Sequence, residues 1–241
     1  MAAGQDVFRR YEKKYLLDAQ QHEWMVHKLQ GHMQADMYGL HTICNIYFDT
    51  DNYQLIRTSI EKPVYKEKLR MRSYGIPGEQ DIVFLELKKK YKGVVYKRRA
   101  AMTLSQAQAY LATGQPPGKS EQILHEIDWF MQFYTPVPKA YIAYDRIALF
   151  DNEFPELRVT FDQNIRGRDT MLDLRKGTWG TPLLPPDTWL MEIKTPGAMP
   201  FWLCRLMSEA KIYPASYSKY GTFYTDYLYP VKEYKGGSLH A

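Results

Sequence analysis

The sequence has few cysteines, no long apolar run and no glycine-rich nucleotide loop, and each absence narrows the possible functions. Its two cysteines, Cys44 and Cys204, stand far apart and predict two buried, reduced thiols. No run approaches the roughly 18 apolar residues that predict a membrane-spanning helix. Neither G-x-x-x-x-G-K-S/T nor G-x-G-x-x-G occurs, so the common glycine-rich loops would not hold a nucleotide. The six histidines show no zinc-ligand spacing.

Composition is that of an ordinary globular protein. Hydrophobic residues make up 45% and charged residues 24% of the 241 residues, and the net charge is only +5. The first residues, MAAGQDVFRRYEKKY, lack an apolar core, so we expect no secretory signal and a cytoplasmic location. No composition shift marks a boundary, which predicts one domain over 1–241 with frayed termini at about 1–6 and 232–241.

Period-two alternation dominates the chain and predicts about eight strands, consistent with its 20 tyrosines. The predicted strands are 8–17, 43–49, 64–74, 82–90, 93–102, 140–150, 156–163 and 188–195, with a possible further strand at 222–228. Helix-start patterns and apolar residues at helical spacing predict helices near 18–33, 103–114, 120–134 and 199–211.

Several predicted strands carry charge on one face and apolar residues on the other. Between residues 65 and 72 the cations Lys66, Lys68, Arg70 and Arg72 alternate with apolar or acidic residues. Taken alone, this is typical of a solvated outer face. The pattern recurs, however, in the pairs Glu12/Lys14, Glu86/Lys88, Lys97/Arg99, Arg158/Asp162 and Glu192/Lys194, and Arg146 lies within an apolar run.

The recurrence favours an α+β fold with a closed antiparallel β-barrel tunnel of about eight strands and flanking helices. The apolar faces would point outward and be covered by the helices. The charged faces would line the tunnel, where cations without counter-charges would bind a polyanion. The run Lys88-Lys89-Lys90 could instead suggest nucleic acid, but a hairpin tip explains it at least as well, and we expect no nucleic-acid partner.

Eight short motifs, in order, resemble the VTC domain, the polyphosphate polymerase domain of the vacuolar transporter chaperone complex, in a bacterial stand-alone form. They are EKKY (12–15), YFDT (47–50), LRMRSYG (69–75), LELK (85–88), YDR (144–146), LRVTFD (157–162), MEIK (191–194) and SYSKY (216–220). The domain belongs to the triphosphate tunnel metalloenzymes, and the resemblance runs over about residues 8–228.

The resemblance implies a site along the tunnel. It assigns catalytic roles to Lys14, Arg70, Arg72, Lys88, Arg146 and Arg158. It assigns substrate binding to Lys97, Lys194, Ser218 and Lys219, with Lys97 and Arg99 both candidates for one tunnel position. A divalent ion, Mn²⁺ or Mg²⁺, would lie at Glu192, with Glu12 or Glu86 as further ligands.

The implied activity is transfer of the ATP γ-phosphate to a growing polyphosphate chain, with pyrophosphate or phosphate as further ligands. Hydrolysis of triphosphate or short polyphosphate, and non-catalytic polyphosphate or nucleotide binding, remain alternatives. Tunnel phosphohydrolases of the wider superfamily begin with Glu-x-Glu-x-Lys, whereas this chain has Arg10, Glu12 and Lys14. The substitution at Arg10 favours the polymerase. A membrane protein is a possible partner, and the oligomeric state stays open.

Overall fold

Antiparallel strands dominate the computed structural model of the protein, which describes residues 11–92, 94–118 and 122–229. The strands are β1 (Tyr11–Leu17), β2 (Met33–Ala35), β3 (His41–Asp49), β4 (Tyr65–Tyr74), β5 (Ile82–Tyr91), β6 (Val94–Thr103), β7 (Val137–Asp151), β8 (Arg158–Arg168), β9 (Thr181–Pro182) and β10 (Trp189–Thr195). The helices are α1 (Ala19–Leu29), α2 (Gln54–Ile60), α3 (Leu104–Thr113), α4 (Gln122–Tyr134), α5 (Phe201–Glu209) and α6 (Lys219–Phe223), which continues into a π-helical turn (Tyr224–Leu228).

The eight principal predicted strands and four predicted helices are all present, with shifted ends. The start of the first predicted strand, Arg10 and the termini expected to fray lie outside the described residues. The possible strand at 222–228 is wrong, because this segment is helical. Its aromatic residues favour strands, but Tyr220, Tyr224 and Leu228 recur at helical spacing and are all buried.

Helix α2 was not predicted because its N-terminal cap comes from a residue distant from the helix start. The Asp49 carboxylate, at the end of β3, accepts hydrogen bonds from the backbone N–H groups of Leu55 and Ile56 at 2.9 and 3.0 Å. Tyr53, directly before the helix, has a left-handed backbone and makes no side-chain cap. The usual pattern of a capping residue next to the first helical residue is therefore missing.

The sheet is open rather than closed by hydrogen bonds, which corrects the predicted closed barrel. Its ten strands follow the order β1-β10-β8-β7-β3-β4-β5-β6, with β2 on β7 and β9 on β8, and every pairing is antiparallel. Among the described residues β1 does not pair with β6. The reason lies at the free edge of β1, where the carbonyl of Lys14 accepts a hydrogen bond from the N–H of Ala215 at 2.7 Å. The segment after α5 thus covers the edge that closure would need.

The open sheet is nevertheless strongly curved. Six steps separate β1 from β5 in the hydrogen-bonded order, and in a flat sheet they would lie about 29 Å apart. Yet the charge of Lys88 on β5 shifts the pKa of Glu12 on β1, and the charge of Lys14 shifts the pKa of Lys68. Coulombic interaction weakens with distance, so charges that shift each other's pKa lie well within about 29 Å of one another. The two ends of the sheet therefore curl towards each other around a concave inner face.

Helices cover the convex outer face, as predicted. One apolar cluster packs α3 and α4 against β3 to β6, and a second packs α1 and α5 against β1, β8 and β10. A third cluster lies on the inner face, where α2, α6 and the π-helical turn pack against β3 and β7. Part of the concave space is thus filled by apolar side chains, and the charged residues occupy the rest.

The two cysteines differ from the prediction in one respect. Both thiols are free, and Cys44 on β3 is buried, as expected. Cys204 on α5 is exposed, so the prediction of burial is wrong for this residue. It lies on the face of a short amphipathic helix whose opposite side, at Leu203 and Met207, packs on the core.

Candidate functional site

The inner face gathers charged side chains from seven strands and from α6. Opposite partners in an antiparallel pair point to the same face, so the strand register identifies the set. The cations on this face include Lys14, Lys66, Lys68, Arg70, Arg72, Lys88, Lys97, Arg99, Arg146, Arg158, Lys194 and Lys219. Its carboxylates include Glu12, Glu86, Asp162 and Glu192. Cations outnumber carboxylates, which favours an anionic ligand.

Glu86 lies at the centre of the part of the inner face that β4, β5 and β6 form, which we call the β4–β6 half. Its carboxylate is 1% exposed and lies 2.7 Å from Arg70, 2.8 Å from Lys97 and 2.6 Å from Arg99. Burial raises the pKa of Glu86, but the cations, Arg70 and Arg72 foremost, outweigh burial and hold this pKa well below its usual range. Lys97 and Arg99, between which the sequence could not decide, lie on the same face and share this one carboxylate.

Glu192 is the acidic centre of the β1–β10 half. One or other of its carboxylate oxygens lies within 3.3–3.6 Å of Lys194, Lys14, Lys219 and Arg146. Burial raises the pKa of Glu192, while Lys219 and the other cations lower it well below the usual value. Glu192 is therefore ionised at neutral pH and holds four cations in reach of one another.

Asp162 on β8 supports this centre, although the sequence did not single it out as a site residue. Arg146 donates two hydrogen bonds to its carboxylate, at 2.5 and 2.7 Å, and the Lys219 ammonium lies 2.6 Å away. Such a bidentate pair fixes the plane of the guanidinium. The shared strand face of Arg158, Thr160 and Asp162 was the pattern that could have identified it.

Tyr144 joins the two halves. Arg72 donates hydrogen bonds to the Tyr144 hydroxyl at 3.0 Å and to the side-chain oxygen of Asn45 at 2.9 Å. From the other side, the Lys219 ammonium lies 4.3 Å from the centroid of the Tyr144 ring. Burial raises the pKa of the Tyr144 hydroxyl, but Arg72, Arg146 and Lys219 together lower it. The cations of the two halves are thus arranged around a single aromatic ring.

A row of lysines crosses the remaining part of the face. Lys68, Lys88 and Lys97 are direct neighbours across β4, β5 and β6. In the described part of the chain, no carboxylate lies within ion-pair distance of Lys68 or Lys88. Burial and the charge of Lys88 lower the pKa of Lys68 to about 7. Burial also lowers the pKa of Lys97 to about 8. An anion in this row would relieve the repulsion.

Two predicted site residues have more peripheral positions. Arg158 is exposed at the start of β8, opposite Lys194. Ser218 caps α6, since its hydroxyl oxygen accepts a hydrogen bond from the N–H of Gly221 at 3.2 Å. This cap sets the helix turn that brings the next residue, Lys219, onto Asp162 and Glu192.

The carboxylates suit a metal that arrives with phosphate better than a site made of protein alone. Among the described residues no group of three or more His, Cys, Asp or Glu side chains could hold a metal ion. Glu12 and Glu192 lie on either side of the Lys14 ammonium, 3.6 and 3.4 Å from it. Mg²⁺ is commonly bound by one or two carboxylates together with substrate phosphates. Arg70, Lys97 and Arg99 lie 2.6–2.8 Å from Glu86 and occupy its oxygens, whereas the cations around Glu192 lie at 3.3–3.6 Å. The Glu12 side chain is 32% exposed, so Glu12 and Glu192 are the residues that fit.

The lysine run at the β5–β6 hairpin does not form one basic patch. Lys88 points to the inner face, whereas Lys89 points outward to Glu126 on α4 at 3.2 Å. Lys92 occupies the turn with a positive φ of 46°. The run Lys88-Lys89-Lys90 thus lies within β5 and is divided between its two faces, and Lys92 lies at the hairpin tip.

Fold and site together define a class, the tunnel-fold proteins, in which a curved antiparallel sheet carries charged side chains on its concave face. Two solved structures support the fold, and both proteins are provisionally described as adenylate cyclases. The one from Bacillus halodurans has a TM-score of 0.54 at 14% identity, over 86% of this chain and 92% of that chain. The one from Vibrio parahaemolyticus has a TM-score of 0.51 at 14% identity, over 92% of this chain and 99% of that chain.

Within this class the family is also defined. The profile of the VTC domain matches residues 9–226, so the chain belongs to the VTC domain family, in agreement with the motifs. No curated protein matches the sequence. In the described residues no helix is both long and apolar enough to cross a bilayer.

Proposed function

We propose that the protein is a polyphosphate polymerase, which transfers the γ-phosphoryl group of ATP to a polyphosphate chain on the inner face. The observation that carries the proposal is the lysine row beside the arginines of the Glu86 centre, in which Lys68 and Lys88 have no carboxylate partner among the described residues. A chain of phosphates could extend from the arginines along Lys88 and Lys68, with each lysine facing a phosphate instead of another lysine. Family membership supports the same activity.

The residues would act mainly by position and charge. Phosphoryl transfer requires in-line alignment and neutralisation of charge on the equatorial oxygens, and little covalent help. Arg70 and Arg72 would clamp the phosphates of ATP, because a guanidinium matches two phosphate oxygens at once. Arg146 and Lys219, held by Asp162, would face the same phosphates from the opposite half. The acceptor is an ionised phosphate, so no strong general base is needed.

The cationic residues nearer the rim would guide the chain. Lys14, Lys97, Lys194 and Arg158 would bind phosphates that have left the centre or have yet to reach it, and Ser218 would act by placing Lys219. Mn²⁺ or Mg²⁺, held by Glu192 with Glu12, would neutralise charge on phosphate oxygens when bound. A cytoplasmic location and a membrane partner that receives the product belong to the same proposal.

The decisive experiment is incubation of the purified protein with ATP and Mn²⁺, followed by gel electrophoresis of the products. Long-chain polyphosphate is the expected product. Release of orthophosphate alone would replace the polymerase with a hydrolase. Binding of polyphosphate without turnover, across several metals and pH values, would leave only the binding function.

Arg70→Lys provides a sharper test of the clamp. It keeps one positive charge beside Glu86 but removes the second hydrogen-bond donor to phosphate. We expect turnover to fall by about 100-fold or more, in the range of a lost transition-state donor, with an unchanged circular dichroism spectrum. Lys89→Met, which removes a cation of the outer face, is the matched control and should keep full turnover.

A further inference from the structure

A group of aromatic side chains extends the inner face beyond the arginines. Tyr74 is two residues beyond Arg72 on β4 and shares its face, and Phe84 is the direct partner of Arg72 on β5. His41, at the start of β3, lies opposite Arg146, and Tyr38 precedes it in the turn. We call Tyr38, His41, Tyr74 and Phe84 the aromatic ladder.

The ladder is continuous from ring to ring. Ring centroids of Tyr38 and His41 are 6.1 Å apart, those of His41 and Tyr74 are 5.8 Å apart, and those of Tyr74 and Phe84 are 5.8 Å apart. Arg99 ends the ladder, because its guanidinium lies 4.2 Å from the Phe84 centroid and donates a hydrogen bond to the Tyr74 hydroxyl at 3.2 Å. The ladder thus touches a cation that also binds Glu86.

The ladder is not part of the apolar core. Tyr38 is 69% exposed and Tyr74 is 50% exposed. Neighbouring rings are inclined by 59–77°, so none of them is stacked flat on the next. By contrast, His22 and Trp189 on the outer side are stacked at 8° and use up each other's faces. Exposed ring faces beside a cationic site are suited to a flat ligand that also carries negative charge.

We propose that the aromatic ladder binds the nucleobase of a nucleoside triphosphate whose phosphates lie on the arginines. This inference rests on the proposed function, since it assumes that the inner face holds the triphosphate. Successive residues of a strand rise by about 3.4 Å, which puts Tyr74 about 7 Å from Arg72 and about 14 Å from Arg70. That spacing suits a nucleotide whose base lies on Tyr74 and whose phosphates lie on Arg72 and Arg70, with the ribose between the base and the phosphates.

The test compares binding of ATP and of inorganic triphosphate to the full chain by calorimetry, without turnover. For the double variant Tyr38→Leu/Tyr74→Leu we expect ATP to bind about tenfold more weakly, the loss of one stacked base. Inorganic triphosphate, which has no base, should bind the variant as it binds the original protein. Tyr74→Phe keeps the ring and should retain most of the affinity for ATP. Tyr65→Leu removes an exposed tyrosine from the outer face of β4. This variant should bind both ATP and inorganic triphosphate with unchanged affinity.

Each other outcome overturns the inference in a distinct way. If the double variant binds ATP as tightly as the original protein does, the ladder does not hold the base, and the phosphate site stands. If the double variant loses affinity for ATP and for inorganic triphosphate to the same extent, the tyrosines act through Arg99 rather than by stacking on the base. If the original protein binds neither ligand, the proposed function fails together with the ladder.

Discussion

At the scale of single residues, the site consists of a few carboxylates that each hold several cations. Glu192 faces Lys14, Lys194, Lys219 and Arg146 within 3.6 Å. This arrangement keeps cations together that would otherwise repel, and it keeps their donors directed at one point. It also means that a carboxylate of this face has two effects on phosphate. It repels the phosphate directly, and it positions the cations that bind it.

The substitution Glu192→Gln distinguishes the effect of the Glu192 charge on phosphate binding from a role of Glu192 as a metal ligand. The substitution removes one negative charge from the face, so we expect inorganic triphosphate to bind more tightly without metal, by about tenfold. Turnover with Mn²⁺ should nevertheless fall by about 100-fold or more, because the amide is a poor ligand for a divalent ion. Calorimetry and a product assay measure the two quantities.

Glu126→Gln is the control for this experiment. Glu126 on α4 pairs with Lys89 and Arg98 on the outer side, so the same change of charge there should alter neither binding nor turnover. Unchanged turnover in Glu192→Gln would contradict the assignment of Glu192 to a metal.

At the scale of elements, β4, β5 and β6 form the part of the sheet where repulsion is largest. The row of Lys68, Lys88 and Lys97 brings three ammonium groups side by side. In the folded chain the pKa of Lys68 is about 7, whereas in an unfolded chain it is about 10.4. Between these two values the unfolded chain binds more protons than the folded chain. The free energy of unfolding therefore rises with pH across this window.

Lys68→Met should flatten that rise. We expect the difference in free energy of unfolding between pH 6.5 and pH 9, measured with urea, to be smaller in the variant than in the original protein. The variant should also bind triphosphate about tenfold more weakly, because one charge-assisted hydrogen bond is lost. Lys62→Met, at an exposed position before β4, serves as the control. An equal pH dependence in Lys68→Met would show that Lys68 is not the titrating group.

Helix α6 is the element that sequence reasoning described least well. Its residues follow a strand-like composition, but the Ser218 cap and the burial of Tyr220 and Phe223 against β3 and β7 select a helix. The consequence for the site is direct, because the helix inserts Lys219 between Asp162 and Glu192. The motif identified Lys219 as a site residue, while its position depended on packing that no local pattern shows.

At the scale of the whole molecule, the net charge is only +5, but the charged residues are unevenly distributed over the surface. Cations are concentrated on the concave face, and several outer cations are paired, as Arg98 and Lys89 are with Glu126. Without ligand, repulsion across the concave face opposes folding. A polyanion that spans both halves should relieve this repulsion and join β1 to β5 across the gap that hydrogen bonds leave open.

Polyphosphate should therefore raise the melting temperature more than orthophosphate does at equal phosphate concentration. A ligand at 100 times its dissociation constant stabilises the folded state by about 2.7 kcal/mol, and a longer chain reaches that ratio at lower concentration. Because the contacts are between charges, the shift should shrink as salt rises. Differential scanning calorimetry at several salt concentrations measures it. An equal shift with orthophosphate would contradict a site that spans both halves.

The sequence by itself determined which residues lie on the same face of each strand, because the two-residue period of a strand is a local property of the backbone. It therefore indicated the charged faces, the positions of the principal strands, and, through ordered motifs, the VTC domain family. Only the tertiary structure decided that β1 is covered by the segment at Ala215 instead of pairing with β6. It also brought Asp162 and Tyr144 into the site, placed both Lys97 and Arg99 on Glu86, and aligned aromatic rings beside them. These outcomes depend on the twist of the sheet and on contacts between residues far apart in the chain, which no local period encodes.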